Sequence, residues 1–89
     1  MNTRNTLFIR LHAYYSNGAY GRSWGVRQIV RVENGSADTV LHFRGAAGTC
    51  RRKQGQCSLS EFLQWARYEV MLNENSWQRV ISHDAPVGL

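Results

Sequence analysis

Residues 24–44 read Trp-Gly-Val-Arg-Gln-Ile-Val-Arg-Val-Glu-Asn-Gly-Ser-Ala-Asp-Thr-Val-Leu-His-Phe-Arg. β-branched and aromatic residues fill both arms, and Asn34-Gly35 stands between them. Asn and Gly tolerate the left-handed backbone of a tight hairpin turn, so the stretch predicts two antiparallel strands, 24–33 and 38–44. In the first, Trp24, Val26, Gln28, Val30 and Val32 share one face, and Arg27, Ile29, Arg31 and Glu33 the other. In the second, Thr39, Leu41 and Phe43 alternate with Val40, His42 and Arg44. Setting Val32 opposite Thr39 brings Val30 opposite Leu41, and the apolar faces then agree.

Upstream, residues 6–15 alternate: Leu7, Ile9, Leu11, Ala13 and Tyr15 against Phe8, Arg10, His12 and Tyr14. Period two with β-formers predicts a first strand, followed by a loop at 16–23 with its own Asn17-Gly18 pair. Downstream, 45–57 reads as a glycine-containing basic connection. Ser58-Leu59-Ser60-Glu61 then fits a capping box, and Leu59, Phe62, Leu63, Ala66 and Val70 fall on one helical face, predicting a helix over 58–72. Asn73-Glu74-Asn75-Ser76 interrupts that pattern. Residues 77–82 fit an edge strand or a short helix, with β-propensity favouring the strand. Residues 84–89 read as a tail. The expected fold is α+β: one domain over 1–89, with a three-stranded antiparallel sheet on one main helix (βββα), or four-stranded if 77–82 joins it (βββαβ). One helix covers one face, so the other face meets water or a partner.

The chain has 89 residues, with 43% hydrophobic and 11% aromatic side chains and a net charge of +5. That balance suits a folded domain rather than a disordered chain. No apolar run is long enough to span a bilayer, and Arg10 interrupts the N-terminal apolar stretch too early for a signal peptide. A cytoplasmic protein with no membrane partner is therefore expected. Ten of the eleven basic residues are arginine, Lys53 being the exception. Arginine offers a planar fork for carboxylate or phosphate and stacks on aromatic rings; arginine-rich codon usage is the plain alternative.

Two basic constellations follow. The expected open sheet face carries Arg10, Tyr14, Arg27, Arg31 and Arg44 beside Phe8, His12, Ile29 and His42, a mixture that suits nucleic acid or a protein interface. The connection carries Arg51-Arg52-Lys53, to which Arg22 adds if the two loops share an end of the sheet. These nine residues (Arg10, Tyr14, Arg22, Arg27, Arg31, Arg44, Arg51, Arg52 and Lys53) are the candidate binding set. Each group also has a plain reading as solvated surface.

Cys50 and Cys57 flank the basic run and read as free thiols, a disulfide or half of a metal site. His12, His42 and His83 are the further candidate ligands, but none has zinc-finger spacing from a cysteine. His12, His42 and Glu33 also raise ribonuclease-like acid–base chemistry, though no motif joins them. The loop glycines do not precede a helix, so no phosphate loop or dinucleotide site is expected. No catalytic residue, metal or cofactor is therefore assigned.

In small size, sheet-plus-helix layout and lack of a catalytic motif, the hairpin at 26–44 and the helix at 58–72 resemble the short accessory proteins of phages and mobile elements, such as anti-CRISPR proteins. That resemblance implies a stoichiometric inhibitor or adaptor bound to a CRISPR effector complex. Many such inhibitors are acidic and imitate DNA, whereas this chain is basic, so its partner would be an acidic protein surface or the nucleic acid itself. The expectation is a non-enzymatic macromolecule-binding protein whose partner is a protein or ribonucleoprotein complex. The alternative is a nucleic-acid-binding module using the same surface. The uncovered face could also be closed by a homodimer.

Overall fold

The computed structural model describes residues 7–35 and 37–80. Within them the chain forms β1 (Tyr14–Ser16), a 3₁₀ turn (Gly21–Ser23), β2 (Gly25–Asn34), β3 (Thr39–Gly48), β4 (Gln54–Ser58), α1 (Leu59–Trp65), β5 (Tyr68–Asn73) and β6 (Ser76–Arg79). The strands make one antiparallel sheet in the order β4-β3-β2-β1-β5-β6. Residues 1–6, Ser36, the end of the 77–82 segment, His83 and the tail expected over 84–89 lie outside the described residues.

This sheet overturns the expected three or four strands on one main helix. The 45–57 connection is largely strand: β3 continues to Gly48, and β4 pairs back along it from Arg44↔Gln54 to Val40↔Ser58. Its Gly, Ala and Gln residues carry little intrinsic β-preference, so pairing, rather than propensity, makes it a strand.

The helix is half the expected length. Its start follows the sequence reading: Ser58 Oγ accepts from Glu61 N–H, and Ser58 N–H donates to Glu61 Oε1, both at 3.1 Å. Ala66, however, takes an extended backbone (φ −79°, ψ 137°), and Arg67 N–H donates to the Ser16 carbonyl at 2.8 Å. Tyr68, Val70 and Leu72 then alternate along β5. So short a helix is marginal alone, and pairing with β1 takes over the residues beyond it. Val70 fits both periods, which let the helical face run on too far.

The interruption at 73–76 is a hairpin. Glu74 (φ 51°) and Asn75 (φ 70°) are both left-handed, as a two-residue primed turn requires, and Leu72 faces Trp77. Of the two readings of 77–82, the described part is strand.

The first strand is also shorter than 6–15. Regular pairing begins only at Tyr14: His12 N–H still donates to the Ile29 carbonyl at 2.6 Å and the Ala13 carbonyl still accepts from Ile29 N–H at 3.0 Å, while Leu7 and Ile9 pack on the helix-side core. His12 sits at φ 72°. The Tyr15 hydroxyl accepts from Arg10 N–H at 2.7 Å and donates to the Phe8 carbonyl at 2.8 Å.

The β2–β3 hairpin forms with a different register: Asn34 faces Thr39 and Val32 faces Leu41. The register shifts between Ile29 and Arg31 and again between Val26 and Arg27. Val30 on β2 and Ala46 on β3 are therefore extra residues, and each such bulge reverses the alternation beyond it. Arg27, Ile29 and Val32 face the helix, while Val26, Gln28, Arg31 and Glu33 face away.

Two apolar clusters follow. On the helix side, Ala13, Tyr15, Ile29, Leu41, Phe62 and Ala66 are buried, with Phe62 set edge-on to Tyr15 at 5.6 Å between centroids. On the other side, Val26, Ala47 and Val70 are buried beneath Tyr14, Trp24, Tyr68 and Trp77. No helix covers this second cluster among the described residues.

Candidate binding surface

Antiparallel register aligns one row of residues across the uncovered face: Gln54, Arg44, Gln28, Tyr14, Val70 and Arg79, one from each strand. Arg44 donates to Gln28 Oε1 at 2.9 Å. Tyr14 meets the Trp77 ring at 5.1 Å, tilted by 59°. The Arg79 guanidinium lies 4.6 Å from the Tyr68 ring centroid. Between these rings runs a shallow, open groove of about 380 Å³, lined by Ser16, Trp24, Tyr68, Val70, Trp77 and Arg79.

A second row holds Gln56, His42 and Arg31. His42 Nε2 lies 2.7 Å from Glu33 Oε1, and Arg31 Nη2 lies 2.8 Å from Glu33 Oε2. The hydrogen bond from His42, with the charge of Arg31 behind it, holds the Glu33 carboxyl below the usual carboxylate range. Arg31 is thus on the open face but already paired.

Five expected members of that face lie elsewhere. Arg27 points to the helix side, its guanidinium 4.3 Å from the Phe43 centroid and 4.0 Å from that of Trp65, because it precedes the bulge and shares its face with Ile29. Arg10 pairs with Glu69 beside Tyr15, because regular pairing begins only at Tyr14. Phe8 and His12 also precede that point, and Ile29 is fully buried in the helix-side core. Tyr14, Arg31, His42 and Arg44 remain as expected.

The loop cations do share an end of the sheet. Thr49 N–H donates to the Trp24 carbonyl at 2.7 Å, which ties the Arg51-Arg52-Lys53 turn to the segment carrying Arg22. All four are exposed. Gly48 allows this approach: it is left-handed (φ 65°), and a Cβ there would strike the Trp24 carbonyl. Sequence reasoning missed two further cations here. Arg67 follows α1 at this end, its side chain against Gly18, and Arg79 stands beside Tyr68. The alternation of Trp77 with Arg79 was the available signal for the second.

The acids gather at the opposite end. Glu33 and Asp38 flank the β2–β3 loop, Glu61 opens α1 beside Ser58, and Glu74 sits in the β5–β6 turn. Ser60 Oγ reaches Asp38 Oδ2 at 3.5 Å. Among the described residues, one end therefore carries Arg22, Arg51, Arg52, Lys53, Arg67 and Arg79, and the other four carboxylates. Glu69, the remaining described acid, is engaged by Arg10.

No protein-family model, curated protein or solved structure matches this chain. Of the two features behind the resemblance to phage accessory proteins, the hairpin at 26–44 forms and the helix is cut back to Leu59–Trp65.

Cys50 is buried and Cys57 half-buried, both as free thiols, so the disulfide alternative is not the arrangement formed. Burial pushes the Cys57 thiol up despite the nearby Arg27 charge, which makes it a poor nucleophile at neutral pH. Among the described residues, no three His, Cys, Asp or Glu side chains come together as a metal site would need. No described helix is long and apolar enough to cross a membrane.

Proposed function

We propose that this chain is a non-enzymatic binding protein that holds nucleic acid on its basic end and open sheet face. The observation that carries this reading is the segregation of charge: six cations at one end, with four of the five described carboxylates at the other. Scattered surface charge would serve solubility equally well. A one-sided arrangement makes a field that draws and orients a polyanion, and arginine forks suit phosphate. The open face continues that end with rings and amides. The only described histidine–carboxylate pair, His42–Glu33, is closed on itself and further engaged by Arg31, so it is not posed to flank a substrate.

The test is binding of labelled RNA and DNA across a salt series. Phosphate contacts release counterions, so affinity falls steeply with salt. Replacing Arg51, Arg52 and Lys53 with Ala together should weaken binding and flatten that slope. Absence of any complex at low salt rejects the reading.

A stoichiometric inhibitor or adaptor docked on a protein or ribonucleoprotein is the second reading. The aromatic cluster favours it, since Trp, Tyr and Arg are typical interface anchors. An acidic partner would be required. Binding to a purified candidate partner that survives nuclease treatment would select it, and a concentration-dependent sedimentation coefficient would select a homodimer.

A further inference from the structure

We infer that the groove between Trp24, Tyr68 and Trp77 stacks unpaired bases, so that the chain prefers single-stranded nucleic acid to duplex. The inference rests on the nucleic-acid reading above and specifies which form is bound.

Three features of the groove point to a ligand that is both flat and anionic. Its walls carry aromatic side chains: Trp24, Tyr68 and Trp77 are each only partly buried, and Tyr14 leans on Trp77. Its one charged lining residue is Arg79, which is exposed and lies over the Tyr68 ring. A guanidinium in that position keeps its N–H edge free for phosphate while its face stays on the ring. No carboxylate lines the groove, so nothing there repels a phosphodiester.

The path out of the groove fits the same ligand. The row from Arg79 through Tyr14 and Gln28 to Arg44 and Gln54 crosses all six strands, a span of roughly 24 Å at the usual strand spacing. From Arg79 it runs through buried Val70 to a ring, an amide, a second cation and a second amide. The Gln54 amide can bond a base edge and the cations the backbone, whereas Gln28 is held between Arg44 and the His12 carbonyl. A duplex hides its base faces in its own stack, whereas a single strand can lay them on aromatic side chains. A duplex could therefore use the basic end but not the groove.

The experiment uses the full chain, a labelled dT₁₂ or U₁₂ oligonucleotide and a twelve-base-pair duplex, all at one low salt concentration. The single strand should bind about tenfold more tightly and quench tryptophan fluorescence, the size expected for one or two stacked bases. Trp77→Ala should collapse that preference to about one, and Trp77→Phe, which keeps a ring, should retain most of it. Trp77 is on an edge strand, so its removal tests stacking with the least damage to the fold.

Equal affinity for single strand and duplex, with Trp77→Ala leaving their ratio unchanged, overturns the inference while the nucleic-acid reading stands. Loss of the preference together with a large fall in melting temperature, unrescued by Trp77→Phe, makes the ring structural and overturns it too. A change of oligomeric state in Trp77→Ala assigns the groove to a second copy of the chain, again overturning it. Failure of any nucleic acid to bind removes both the inference and the reading beneath it.

Discussion

The guanidinium of Arg27 lies 4.0 Å from the centroid of the Trp65 ring, with the Phe43 ring 4.3 Å away. This cation belongs to the packing between helix and sheet. It covers the edge of the helix-side core where α1 ends.

Arg27→Ala should therefore cost stability. Cation–π contacts contribute about 0.5–2 kcal/mol depending on desolvation, and the long stem also covers apolar surface. A loss of about 1–2 kcal/mol is expected, read as a fall in melting temperature of several degrees. Nucleic-acid affinity of the folded variant should be unchanged. A matching loss of affinity with no loss of stability would return Arg27 to the binding surface.

Tyr15 fastens the N-terminal segment. Its ring is fully buried, and its hydroxyl bonds Arg10 N–H and the Phe8 carbonyl. Tyr15→Phe should cost about 1 kcal/mol for the lost bonds and speed proteolysis before residue 13. Burial, the dominant cause, pushes the Tyr15 phenol above its ordinary value near 10. A raised acid keeps its proton in the folded state after the unfolded chain has lost it. Its contribution is therefore complete below about pH 10 and is lost as pH rises through the folded value. Denaturant midpoints should fall on the alkaline side in the native chain, and less so in Tyr15→Phe.

Glu33 has the opposite sign. Its carboxyl is held below the ordinary range by His42 and then Arg31. Its contribution is present above the usual carboxylate value and lost as pH falls through the folded one. Glu33→Gln should flatten that acid limb. It should also release Arg31 and remove a negative charge from the open face, strengthening oligonucleotide binding by a few-fold at low salt. Weaker binding would mean that Glu33 positions the ligand-facing side chains.

Gly48→Ala should be a strongly damaging small change near the basic turn. The left-handed backbone alone costs a non-glycine residue about 1–2 kcal/mol, and the Cβ would also strike the Trp24 carbonyl. A melting-temperature loss larger than that of Arg27→Ala is expected, and the Arg51–Lys53 turn should lose its place beside Trp24.

The local signals were legible where one residue type serves one purpose. The capping box marked the start of α1, and Asn34-Gly35 marked a hairpin, although the loop closes between Asn34 and Thr39 with Gly35 N–H bonded to the Asp38 carbonyl at 2.9 Å. Tyr14, Arg31 and Arg44 were placed on the open face. The bulge at Val30 was invisible because period-two reading assumes unbroken alternation, and the missed bulge put Ile29 and Arg27 on the wrong side.

By itself, the sequence determined the charge balance, the arginine bias, the central hairpin and the point where the helix begins. Each depends on neighbours in the chain, whose spacing is written in the residue order. Tertiary structure alone decided where the helix stops, that 54–58 is a strand, and that basic loops distant in sequence share an end opposite the carboxylates. Those outcomes depend on which backbone groups find partners across the sheet. Arg67 N–H bonds the Ser16 carbonyl, and β4 pairs on β3, because the fold brings these groups within reach. Local propensity at 45–57 and 66–72 is too weak to override such pairing.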